Sequence, residues 1–132
     1  MFKHLFLSAF IGLSTPLLAF ADPVTDVIEE QLDAFLDRDA PRAFSYASPQ
    51  IQGMFGTPLN FAMMVERGYP SLWSPGAVEF SDRYEQGARV RQTVIVTGPD
   101  GKRLAYEYDM LRLNENWKIN GVRLVPLNEV GV

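Results

Sequence analysis

VRQTVIVTGPDGKRLAYEYDMLRL, residues 90–113, decides how this chain folds. Apolar and polar side chains alternate with period two on both sides of Gly98-Pro99-Asp100-Gly101, so the stretch reads as two strands, Val90–Val96 and Leu104–Leu113, joined by a tight turn. Pro99 and Asp100 suit the centre of a type I turn and Gly101 the left-handed residue after it, a three-residue loop that pairs Gly98 with Lys102. That loop sets the register. On one face Val96 meets Leu104, Val94 meets Tyr106, Gln92 meets Tyr108 and Val90 meets Met110; on the other Arg91 meets Asp109, Thr93 meets Glu107 and Ile95 meets Ala105. The first face is mainly apolar and is expected to receive helices, while the second offers an Arg91–Asp109 cross-strand ion pair worth ~0.2–1 kcal/mol.

Outward from this hairpin, Val78–Ser81 and Trp117–Leu124 read as two further strands, and Asn114-Glu115-Asn116 leaves either two or three residues in the last loop. Upstream the period becomes helical. A helix begins near Pro23, capped by Thr25 or Asp22, with Val24, Val27, Ile28, Leu32, Phe35 and Leu36 on one face. Asp26, Glu29, Glu30, Asp33 and Asp37 take the other, a solvated face rather than a metal site. Asp39-Ala40-Pro41 starts a second, short helix that carries Ala43, Phe44 and Ala47 inward and stops at Ser48-Pro49. Thr57-Pro58 opens a third through Phe61, Met64 and Val65, with Gly68 as its C-terminal cap, and Tyr69–Gly76 reads as an irregular loop. Three helices followed by a four-stranded antiparallel meander give an α+β domain in which a curved sheet holds the N-terminal helices in its concave face.

The chain starts Met1-Phe2-Lys3-His4, runs mostly apolar from Leu5 to Phe20 and closes that run with Ala19-Phe20-Ala21. A basic start, an apolar middle and small residues two apart describe a cleavable secretory signal. Residues 1–21 are therefore expected to be cut off after Ala21, leaving 22–132 as one domain in the periplasm or outside the cell. Spanning a bilayer takes ~20 apolar residues, and Pro16 sits late in this run, so no stable membrane anchor is expected after cleavage. The 16 acidic residues outnumber the 12 basic ones, and the arginines are scattered among carboxylates with no basic stripe, which argues against a nucleic-acid partner. There is no Cys, and the single His, His4, lies in the segment expected to be removed. Thiol nucleophiles, Ser-His-Asp relays and the usual zinc, copper or haem ligand sets then drop out, so no metal and no cofactor is expected.

Gln31-x-x-Ala34-Phe35, Ala43-Phe44-Ser45-Tyr46-Ala47-Ser48-Pro49, Phe55-Gly56, Met64-Val65, Tyr69-Pro70, Gln92 and Trp117-Lys118-Ile119-Asn120-Gly121 occur here in one order and spacing. Together they resemble the bacterial family domain of unknown function 4864, within the nuclear-transport-factor-two-like superfamily of cystatin-like, cone-shaped α+β domains. The resemblance spans nearly all of the chain after residue 21. It implies the cone fold, export and a pocket between sheet and helices, and it brings no established activity. Several enzymes of the superfamily use a His-Asp pair, for which the cleaved chain has no His; others use an Asp-Arg-Asp arrangement with Tyr, which no motif here carries over.

The expected ligand pocket consists of the polar residues on the apolar face of the sheet, Gln92, Tyr106 and Tyr108, with Tyr46, Arg67 and Trp73 at its mouth. The plainer alternative is that Gln92 and Tyr108 bond to each other or to free backbone groups. A catalytic reading takes Asp109 or Glu107 as base, Arg91 to hold a developing anion and a Tyr as acid, but the register puts those charged groups on the face opposite the tyrosines. Catalytic residues are thus unassigned. On the outer face Ile95, Leu111 and Leu113, with Trp117, form an apolar strip that a second copy could cover, giving a homodimer through the sheet. The reading at this level is a small-ligand or protein-binding domain; the alternative is a cofactor-free lyase, isomerase or hydrolase working through carboxylate and Tyr groups in the cone.

Overall fold

The computed structural model describes residues 21–127. Residues 1–20, most of the expected signal and His4 with them, lie outside the described residues. Five helices precede the sheet: α1 (Pro23–Leu36), α2 (Ala40–Ser45), α3 (Pro49–Phe55), α4 (Pro58–Gly68) and α5 (Pro70–Trp73). One local signature starts most of them, a short polar side chain that accepts from the first free N–H groups, followed by a proline that has no N–H to satisfy. Asp22 Oδ1 accepts from Val24 N at 3.1 Å and Thr25 N at 3.3 Å, which decides between the two candidate caps of α1. Asp39, Ser48 and Thr57 accept from Arg42 N, Ile51 N and Asn60 N in the same way.

Two of these helices depart from the sequence reading. Ser48-Pro49 does not merely stop α2; it also caps and opens α3, which lies where no helix was expected. The segment from Tyr69 is not wholly irregular, because Pro70–Trp73 closes one helical turn. Ala47, expected inside the second helix, lies just past it and bridges to the sheet: Ile119 N donates to Tyr46 O at 2.9 Å and Ser48 N to Ile119 O at 2.8 Å.

The sheet is β1 (Val78–Gln86), β2 (Arg89–Thr97), β3 (Arg103–Leu113) and β4 (Asn116–Val125), antiparallel and in that order. The central register is the one read from the turn: Val96 pairs with Leu104, Gln92 with Tyr108 and Val90 with Met110. Gly98 N donates to Lys102 O at 2.9 Å, and Gly101 takes the left-handed conformation at φ 79°. The last turn has two loop residues, Asn114 and Glu115, both at positive φ. β1 runs past Ser81 because an irregularity between Phe80 and Arg83 lets pairing resume as far as Gln86, and β4 has its own at Asn120, between the Met110–Ile119 and Asp109–Gly121 pairs.

The concave face packs on α1. Ile28, Phe35, Val94, Val96, Tyr108 and Met110 are among its fully buried side chains. Trp117, read as part of an outer strip, belongs to this inner side and packs against the core. On the outer face Arg91 stands opposite Asp109, but among the described residues no ion pair joins them; Asp109 accepts from Asn120 Nδ2 at 3.5 Å, and Glu107 holds Arg123 at 2.9 Å. No helix of the described residues is long and apolar enough to cross a membrane.

Candidate binding cavity

A cavity of about 200 Å³ lies between the helices and β4. Gln31 and Phe35 of α1 reach it, as do Ile51, Met54 and Phe55 of α3, Phe61, Met64 and Val65 of α4, Tyr69, and Leu72 of α5; Ala47, Ile119, Gly121 and Val122 complete its wall. Its shape follows from the parts above. Phe61 is braced by Phe35, Phe44 and Phe55, with ring centroids 5.5–6.0 Å apart, so α1, α2, α3 and α4 are tied together by one cluster of rings. α3 is fixed against the strand by Ser48, whose Oγ caps the helix and donates to Asn120 Oδ1 at 2.8 Å, at the irregularity in β4. Next to it Gly121 lines the cavity with its backbone, a Cβ at that position pointing toward Asp109 on the outer face. Met54, 69% exposed, marks the side on which the cavity meets solvent.

The lining is apolar apart from two groups. Gln31 is 3% exposed, and its Nε2 donates to Ala43 O at 3.1 Å. Tyr69 directs its hydroxyl to Val122 O at a loose 3.4 Å. Among the described residues no Asp, Glu, Lys or Arg lines the cavity.

None of the six residues singled out from the sequence lines it. Gln92, 1% exposed, works within the sheet: its Nε2 donates to the carbonyls of Ser81, Asp82 and Thr93, and its Oε1 accepts from Arg83 Nε at 2.6 Å. It thereby satisfies the backbone that the β1 irregularity frees, and orients Arg83, which reaches Asp22 Oδ2 at 2.5 Å. Tyr106 is hydrogen-bonded to Ser71 and lies 6.3 Å from the Tyr69 ring; burial pushes its phenol up, the Ser71 bond opposing. Tyr108 is fully buried, its hydroxyl has no hydrogen-bond partner, and burial pushes its phenol up strongly. Tyr46 is half-buried with its phenol on Arg42. Arg67 is exposed in the last turn of α4, and Trp73 packs at a tilt against Phe35, centroids 5.9 Å apart, with the Arg38 guanidinium 4.3 Å from its ring. The structure joins Gln92 to Tyr108 and Tyr106 only as neighbours on the inner face of the sheet.

Asp109, Glu107 and Arg91 gather with Arg123 around a shallow groove on the outer face, as the register implied. Sequence reading missed Gln31 and Tyr69 as cavity groups. Gln31 carried a signal: it occupies the apolar stripe of α1, three residues after Ile28 and four before Phe35, where an amide has to find a partner inside the fold.

A solved structure of a designed NTF2-like protein superimposes with a TM-score of 0.52 at 14% identity, over 77% of this chain and 96% of that one. At that identity the match concerns the fold, and it agrees with an open antiparallel sheet holding helices on one face. No curated protein matches the sequence. Residues 19–132 match the family model Domain of unknown function (DUF4864), and the chain belongs to that family.

Proposed function

We propose that the domain is an exported binding protein for a small, largely apolar molecule held in the cavity between α1, α3, α4 and β4. The observation that carries this is an apolar space of about 200 Å³ between the helices and β4, open to solvent beside Met54. An apolar cavity of ~150 Å³ accommodates a benzene, so the volume is enough for a small ring. A single ring with short substituents, or a short alkyl chain, matches the volume. The leader read in residues 1–21 supports export.

Catalysis by carboxylate and Tyr groups in the cone needs an ionisable acid or base in contact with the ligand. The lining offers an amide and a phenol, and the carboxylates Glu107 and Asp109 face the other side of the sheet, which favours binding over turnover.

Native mass spectrometry of the protein purified from its own host without added ligand is the test. The expected spectrum contains a chain starting at Asp22 with a small neutral adduct that is lost on denaturation and absent from the cavity-filling variant Val65→Phe. An adduct retained by Val65→Phe at full occupancy, or a chain that keeps residues 1–21, contradicts the corresponding half of the proposal.

A further inference from the structure

The two polar atoms of the cavity specify more than size. A carbonyl cannot donate, so the Gln31 group that meets Ala43 O has to be Nε2, and Oε1 is the end left over. Among the described residues no donor reaches Oε1, and it is not among the atoms sealed from solvent without a partner, so it opens onto the cavity that Gln31 lines. A side chain 97% withdrawn from water thus presents an unused acceptor to an apolar space. Tyr69 is the other polar residue of the lining, its hydroxyl donating to Val122 O at 3.4 Å. The site therefore offers an unused acceptor to a donor on the ligand. It lacks any opposite charge, so an ammonium there would carry its full desolvation cost unpaired.

Resting on the proposed function above, we infer that the ligand is a small neutral apolar molecule bearing one hydrogen-bond donor, as a phenol or an alcohol does, and that Gln31 Oε1 accepts from that donor. Gln31 is then a specificity-determining residue, and a ligand of equal shape with no donor leaves Oε1 unsatisfied.

p-Cresol and p-xylene have the same shape and differ by a hydroxyl in place of a methyl. Calorimetric titration of both into wild type and Gln31→Met is the test. In the variant the dissociation constant of p-cresol is expected to rise about tenfold, the usual effect of losing one buried hydrogen bond, while that of p-xylene stays within about twofold. Equal changes for the two ligands, or none for p-cresol, overturn the role of Gln31 and leave the cavity reading intact. Binding of neither probe to wild type overturns both. Because Gln31→Met also removes one of the two donors to Ala43 O, leaving Tyr46 N at 3.4 Å, a second measurement uses the wild-type protein alone. The Gln31 side-chain carbonyl carbon, observed by NMR, is expected to shift with p-cresol and not with p-xylene, and the same shift for both contradicts the assignment.

Discussion

Tyr108 and Asp22 show how far a single side chain can be read. Tyr108 was placed on the correct face of the correct strand, but period and register say nothing about whether its hydroxyl finds a partner, and it does not. A buried polar atom left unpaired costs ~1–3 kcal/mol, so Tyr108→Phe is expected to raise stability by about 1 kcal/mol in urea denaturation. A loss of that size would mean the hydroxyl is satisfied in solution. Asp22 illustrates the opposite case. Burial alone pushes its carboxyl up, but the Arg83 hydrogen bond, the N–H groups of Thr25 and Val24 and the Arg83 charge outweigh it and hold the group below its ordinary value of 3.8. A group depressed in the folded state stabilises above its unfolded value and loses that contribution as pH falls through the folded one. Asp22→Asn keeps a capping side chain and removes the charge. Its deficit relative to wild type is therefore expected to be under about 1 kcal/mol at neutral pH, since the pair is partly exposed, and to shrink below pH ~4. A deficit that grows on acidification contradicts the assignment. The Asp22–Arg83–Gln92 chain was not legible, because it joins a helix cap to a strand irregularity 61 positions away, and only the fold brings them together.

Elements were legible wherever a local pattern was long enough to be read by itself. α1, α4 and the β2–β3 hairpin, with its register, stood in the sequence as amphipathic periods and a turn with one fitting geometry. α3 did not, because seven residues make two turns and none of its side chains is fully buried, so no stripe announces it. What did announce it was Ser48-Pro49, the same start signal as Asp22-Pro23 and Thr57-Pro58. Ser48→Ala removes both the cap and the bond to Asn120, and is expected to cost ~1–3 kcal/mol by thermal or chemical denaturation; a change within ±0.3 kcal/mol would show that α3 is held by other contacts. The last hairpin allows a gain. Glu115 sits at φ 70°, where a side chain is disfavoured and glycine is not. Glu115→Gly is expected to raise stability by about 0.5–1 kcal/mol, and a loss would indicate that the Glu115 side chain makes a stabilising contact in solution.

At the scale of the whole molecule, the α+β architecture followed from element order, and the cavity did not. It depends on where α1, α3, α4 and α5 come to rest relative to β4 and to one another; no spacing in the sequence encodes such a space. Polar residues on the sheet stand out in the sequence, whereas the cavity is walled mostly by helices and by apolar side chains that look no different in sequence from core. A void kept for a ligand should cost stability that a larger side chain recovers. Val65→Phe is therefore expected to stabilise by ~0.5–2 kcal/mol while abolishing ligand binding, and a variant that is both less stable and still competent contradicts that trade. The central claim, that this cavity receives an apolar molecule, is tested most directly by NMR titration of the wild-type protein with p-xylene, following intermolecular NOEs to assigned methyl groups. The account predicts saturable NOEs from the ligand to Val65, Leu72 and Ile119, which face the cavity from α4, α5 and β4. NOEs confined to the exposed Leu59 and Leu124, or none at saturating ligand, would contradict it.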